Sequence, residues 1–120
     1  MAASAWQLYN EAKKYIGNGT ITLGAGVFKM VLAQSASNAS TFTLSTYAQI
    51  TSEIATAGGY AAGGRSLVPA TAQWTVGASA KQMKFTQTTT GLTFTASGAN
   101  LVNIKYAIIR NSTGSGAGKL

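Results

Sequence analysis

Glu11 and Glu53 are the only acidic side chains in the sequence, and the sequence holds no His, no Cys and no Asp. General acid–base catalysis needs a tunable proton carrier within hydrogen-bond reach of the reacting group. The carriers left are the two Glu, the Lys side chains and Tyr. Catalytic carboxylates work as a pair or with a second group. Glu11 falls on a helical pattern with Tyr15 four positions later, where it faces water. Glu53 stands beside Ile54, where it is expected to pair with a Lys or Arg. Structural roles outweigh catalytic ones for both. A Ser-x-x-Lys dyad does not occur. Metal binding needs carboxylates, His or Cys in numbers the chain lacks. The chain is therefore read as non-enzymatic, with no catalytic residue, no metal and no cofactor.

The glycine patterns do not alter that reading. Gly118-Lys119 resembles the end of a phosphate-binding loop, but the first Gly of that motif falls on Thr113 and Leu120 replaces the Ser/Thr. Gly17-Asn18-Gly19 and Gly24-Ala25-Gly26 lack the third Gly of a dinucleotide fingerprint and read as turns. Asn18-Gly19-Thr20, Asn38-Ala39-Ser40 and Asn111-Ser112-Thr113 match glycosylation sequons, which chance explains in a chain so rich in Asn, Ser and Thr.

Nine Lys and Arg against two Glu give a net charge of +7, yet only 9% of residues are charged. A free soluble monomer usually has a surface that is about a quarter charged or more. A surface of hydroxyls and amides suits a protein whose faces are covered by neighbours. The positive balance attracts polyanions of any kind, including nucleic acid and acidic protein shells. The cations are dispersed, however, and only Lys13 and Lys14 are adjacent. There is no Arg-rich arm and no aromatic-basic strand of the single-strand-binding type. Nucleic acid is thus a minor expectation. No stretch approaches the ~18 apolar residues of a membrane span. The segment 1–16 carries its charges late, the reverse of an export signal, so the chain is expected to be unexported and soluble.

Most aromatics lie on apolar faces and read as core. Trp6, Tyr9 and Tyr60 are the aromatic contact candidates, because amphipathic rings are enriched at interfaces. With Lys13, Lys14 and Arg65 they make up the candidate interface residues.

Positioning these residues requires one domain of 120 residues, within the usual range of about 100–200. Such a chain can bury roughly two-thirds of its unfolded surface. Ser4 and Gln7 fit a capping box, and Leu8, Ala12, Tyr15 and Ile16 recur at helical spacing. A helix is predicted over 5–16, with Lys13 and Lys14 near its C-terminus and Gly17 as its stop. A β core is predicted over 20–110. Its strands are 20–23, the buried run 27–32, 65–68, 73–76, 81–86, 91–96 with the clearest alternation, and 101–110. Ser45 is a candidate cap for a short internal helix with Tyr47, Ile50 and Ile54 at helical offsets, ended by Gly58-Gly59. Residues 111–120 read as a Gly/Ser-rich tail without a core pattern. The predicted fold is mainly β: an antiparallel β-sandwich or partly open barrel with an N-terminal α-helix and, as a candidate, one short internal helix.

The order of segments resembles small virion proteins of tailed bacteriophages. The resemblance rests on Ala5-Trp6-Gln7-Leu8-Tyr9-Asn10-Glu11-Ala12-Lys13-Lys14 followed by Phe28-Lys29-Met30-Val31-Leu32. It continues through the segment 44–54, Gly63-Gly64-Arg65-Ser66-Leu67 and Leu92-Thr93-Phe94-Thr95-Ala96-Ser97-Gly98, to Ile104-Lys105-Tyr106-Ala107-Ile108-Ile109. Where relatives carry Asp before the "Val-Thr-Phe" strand and a "Tyr-Lys-Asp" ending, this chain has Thr90-Gly91 and Arg110-Asn111. The resemblance implies a structural subunit of the virion with no catalytic residues. Within that class it implies a capsid decoration or cement protein on the capsid surface, made in the host cytoplasm. The partner would be the major capsid protein, with self-association, trimers included, and no membrane. The helix and the tail are the expected contact elements. A head–tail connector or tail-tube component is the nearest alternative. A basic nucleic-acid-binding protein is the alternative from another class.

Overall fold

The computed structural model describes residues 4–24, 27–67, 74–76, 83–85 and 93–120. In chain order the elements are α1 (Asn10–Gly17), β1 (Phe28–Gln34), a 3-10 turn (Tyr47–Gln49), β2 (Arg65–Ser66), β3 (Trp74–Val76), β4 (Met83–Phe85), β5 (Ile104–Asn111) and a second 3-10 turn (Gly114–Gly116). The protein is a mainly β chain with one helix. A three-stranded antiparallel sheet has the order β2-β1-β5, and β3 and β4 form a separate antiparallel pair with Trp74 opposite Phe85.

The central strand β1 explains the rest. Its run Phe-Lys-Met-Val-Leu-Ala is almost wholly apolar, the pattern of a strand covered on both faces. Side chains alternate across the sheet. On one face Val31 and Ala33, with Ile108 of β5, pack against Tyr9, Ala12, Ala39 and Leu120. On the other face Phe28 packs with Ile21 and Leu67, and Leu32 with Ile54 and Tyr60. The β1–β5 ladder runs in register from Phe28↔Asn111 to Ala33↔Tyr106 and slips between Ala33 and Gln34.

The other side of β1 is paired by a broken strand. Ile54 N–H donates to Leu32 O at 3.0 Å and Gln34 N–H to Ser52 O at 2.9 Å, so Glu53 stands opposite Ala33. Ten residues later β2 takes up the pairing at Met30↔Arg65 and Lys29↔Ser66. The loop 55–64 between them returns the chain through Gly64, whose φ is +83°. A Cβ there would strike the Met30 carbonyl and the Val31 side chain, so only Gly fits.

Several expected elements take other forms. The helix begins at Asn10, because Asn10 N–H is tied to Phe42 O at 2.9 Å and Tyr9 OH to Ala39 O at 2.7 Å. Tyr9 is the N-cap, in extended conformation, and the Ser4/Gln7 box is not made. A capping box does form at Thr46 and Gln49, but it starts only a 3-10 turn, which Ile50 leaves in extended conformation toward its pairing with β1. The short internal helix is thus one turn. Residues 20–23 form bends rather than a strand, with Ile21 N–H closing onto Tyr15 O at 2.9 Å. Residues 93–96 make no ladder, despite their alternation. The segment instead runs against the turn at Gly58-Gly59, where Ser97 N–H donates to Gly58 O at 3.0 Å. A Cβ on Gly59, at φ +83°, would strike Thr95 O. Ala25, Gly26, Val68, Gln73, Lys81, Gln82, Thr86, Gly91 and Leu92, also placed in predicted turns or strands, lie outside the described residues.

The expected tail is part of the core. Gly118 N–H donates to Asn111 O at 2.8 Å, Asn111 N–H to Lys119 O at 2.9 Å and Tyr47 N–H to Gly118 O at 2.7 Å. These bonds carry Leu120 into the cluster beside Tyr9 and Val31, where it is 5% exposed.

Candidate interaction surface and the Glu53 cluster

The Glu53 carboxylate lies at the break in the sheet edge. Tyr60 OH donates to Oε1 at 2.7 Å, Gly63 N–H donates to Oε1 at 2.6 Å, and Tyr47 OH donates to Oε2. Tyr60 OH also accepts from Leu32 N–H at 3.1 Å. The broken strand leaves that N–H without a main-chain acceptor, and the phenol supplies one. Buried backbone donors are nearly always satisfied in this way. The Arg110 guanidinium stacks 4.3 Å above the Tyr47 ring centre and donates to Gly63 O through Nη2 at 3.0 Å. Glu53 therefore bonds phenols and a main-chain N–H. Among the described residues the one ion pair is Lys14–Glu11 at 3.3 Å, an exposed contact of little weight.

The electrostatics hold both phenols protonated. Burial, reinforced by the hydrogen bond to Glu53 and its charge, pushes Tyr47 up to about 12. Burial also raises Tyr60, against the Leu32 N–H that favours its phenolate, and raises Tyr9. The cluster has no thiol, imidazole or amine beside the carboxylate to act as a nucleophile. Tyr60 is 3% exposed. The arrangement pins the 52–64 segment to β1.

The sequence-predicted contact residues divide. Trp6, Lys13, Lys14 and Arg65 are exposed. Tyr9 and Tyr60 are buried, so their rings serve the core and present no face to a partner. Arg65 is held by a bond from Nη1 to Thr93 O. Tyr47 and Arg110 complete the Glu53 cluster and were invisible to sequence reasoning. Tyr47 is six residues from Glu53, and Arg110 meets Gly63 across forty-seven. No periodicity marks such partners.

Three cations rest on tyrosine faces: Lys105 over Tyr106, Arg110 over Tyr47 and Lys119 over Tyr15. The most exposed large apolar groups are Trp6 and Leu8 on the segment 4–9, and Val102 and Ile104 at the start of β5. Among the described residues no helix is long and apolar enough to cross a membrane. No family model, no curated protein and no solved structure matches the chain.

Proposed function

We propose that the chain is a non-enzymatic structural protein of a phage virion, and within that class a capsid decoration or cement protein that binds and stabilises the shell of major capsid protein. The observation that carries this reading is the division of roles among its side chains. The Glu53 carboxylate is tied up internally by two phenols and a main-chain N–H, and Glu11 makes an exposed contact with Lys14. The uncharged segment 4–8 meanwhile stands exposed with Trp6 and Leu8. The resemblance of the segment order to small virion proteins supports the same reading. Adhesion of this kind draws on apolar contact and amide hydrogen bonds, with charge guiding approach to an acidic shell. Many copies on a lattice add avidity. Closure of the sheets into a sandwich or partly open barrel belongs to the proposal; antiparallel pairing throughout supports it.

Labelling of intact particles for electron microscopy tests the reading. Label spread over the head supports cement, and shells lacking the protein should then disrupt at lower temperature. Label at the neck or tail moves the assignment to a connector or tube component. Absence from particles overturns the virion reading and makes salt-dependent nucleic-acid binding the next experiment.

A further inference from the structure

The strand β5 forms one edge of the three-stranded sheet. Which of its main-chain groups face outward follows from the bonds on β1. Leu32 O and Phe28 O are taken on the β2 side, by Ile54 and Leu67 N–H. Successive residues of a strand direct their N–H and C=O to opposite sides, so residues 29, 31 and 33 face β5. In the observed register their partners Arg110, Ile108 and Tyr106 face β1. The N–H and C=O of Ala107, Ile109 and Asn111 therefore face outward, while Lys105 is the extra residue at the slip in register. The C-terminal segment already uses this edge at Asn111, through Lys119 O and Gly118 N–H. The outward groups of Ala107 and Ile109 bond to nothing among the described residues. Natural edges are protected by Lys, Pro or a bulge. Here the slip in register at Lys105 bulges one end of the edge, with the Lys105 amine 5.4 Å from the centre of the Tyr106 ring, and the stretch 106–109 beyond it carries neither Lys nor Pro.

The same chain carries a strand without a sheet. Residues 4–8 make no hydrogen bond to the described residues, and 4–9 hold no charged side chain. Trp6 is 65% and Leu8 57% exposed, two positions apart, which in an extended chain places both on one face. Ile104 and Val102 are 45% and 53% exposed beside the bare edge. Five extended residues span about 17 Å, enough to cover the outward groups of Ala107 and Ile109. Each body carries +7, so two copies repel face to face, whereas the uncharged arm can approach.

We infer that residues 4–8 of one copy add as a strand to the β5 edge of a second copy at Ala107 and Ile109, with Trp6 and Leu8 packing toward the exposed Ile104 and Val102. Strand addition draws its affinity from main-chain hydrogen bonds and its register from alternate side chains. The contact is head-to-tail: arm meets edge, leaving one free arm and one free edge. Such contacts close into rings when the rotation permits. This inference stands on the described geometry and does not depend on a virion.

The test uses the purified full chain, by native mass spectrometry and light scattering. Wild type should form a discrete oligomer. Deletion of residues 1–8 should give monomers, and Trp6→Ala with Leu8→Ala should weaken association by about a hundredfold. Ala107→Pro removes an outward N–H and no ladder bond, so it should abolish the oligomer while circular dichroism stays unchanged. The chain has no cysteine, so Leu8→Cys chains mixed with Ala107→Cys chains can be joined by a short bis-maleimide. That product reads the contact without a proline. A heterodimeric cross-link is expected, and Leu8→Cys mixed with Ser66→Cys on the opposite edge should give none. Wild type that stays monomeric at the highest concentration overturns the inference. So does an oligomer that survives arm deletion, or a cross-link that forms within a single Leu8→Cys/Ala107→Cys chain.

Discussion

Tyr60→Phe isolates a single hydroxyl with two jobs. The ring stays in place against Leu32, Ile54 and Phe94, so no cavity opens. What is lost is the acceptor for Leu32 N–H and one of three donors to Glu53. A buried donor left unsatisfied costs about 1–3 kcal/mol, and loss of a bond to a charged group adds a comparable amount. Glu53 keeps Gly63 N–H and Tyr47 OH, which reduces the second contribution. The expected destabilisation is about 2–4 kcal/mol, a large share of the total of roughly 6–18 kcal/mol for a chain of this size. At a urea dependence of about 2 kcal/mol per molar, the unfolding midpoint should fall by about 1–2 M with an unchanged slope. Tyr47→Phe removes only a donor to Glu53 at a half-buried site and should cost about 1 kcal/mol. Because Tyr60 and Glu53 share a bond, the cost of Tyr60→Phe with Glu53→Gln should fall short of the sum of the singles. The reasoning is refuted if Tyr60→Phe costs no more than Tyr47→Phe, since the phenol would then not be completing the broken ladder.

The raised phenols give stability a pH dependence of definite sign. Below the ordinary Tyr value near 10 both folded and unfolded states hold their protons, so the contribution is complete; above it the unfolded state alone loses them and stability falls. Unfolding midpoints should be flat to about pH 10 and drop toward pH 12, with the drop reduced in Tyr47→Phe, as followed by phenolate absorbance alongside urea titration. Leu120→Ala should cost about 2–3 kcal/mol in the same urea assay, a result foreign to an unstructured tail. Gly64→Ala should destabilise by about 2 kcal/mol or more, through its positive φ and the blocked approach to Met30 O, and the shift in thermal midpoint would show it.

The parts of the fold legible in the sequence are those whose partners are sheet neighbours. The 27–32 run marked a buried strand, and Tyr106 and Ile108 share one side of β5, whereas Ile104 lies beyond the slip in register opposite Gln34 and is exposed. The losses arise where a long-range bond overrules a local pattern. Helical spacing placed Leu8 inside a helix from residue 5, but the bonds of Tyr9 OH to Ala39 O and Asn10 N–H to Phe42 O start the helix five residues later and leave Leu8 outside it. The alternation of 93–96 is as good as any in the chain, yet the Gly58-Gly59 turn takes its backbone. The tail has no apolar period because a single Leu does the burying while main-chain bonds do the holding. Glu53 was expected to meet a cation. Its position opposite Ala33 instead sets it between two phenols that only the folded loop brings together.

Charge scarcity links these features. With two carboxylates for nine cations, ion pairs cannot organise the surface. The fold places cations where no carboxylate is needed: on tyrosine faces for Lys105, Arg110 and Lys119, and on main-chain carbonyls for Arg65 and Arg110. Cation–π contacts at exposed sites are worth about 0.5–1 kcal/mol and leave the charge itself uncompensated. The molecule therefore retains its positive field while fixing the side chains that generate it. A partner of opposite sign would be steered to it without a fresh ordering cost for those three residues. The adhesive part of the molecule is different in kind. Residues 4–8 bear no charge, make no hydrogen bond to the described residues, and offer two large apolar side chains two positions apart. Under the proposed reading, attraction and attachment thus fall to separate regions.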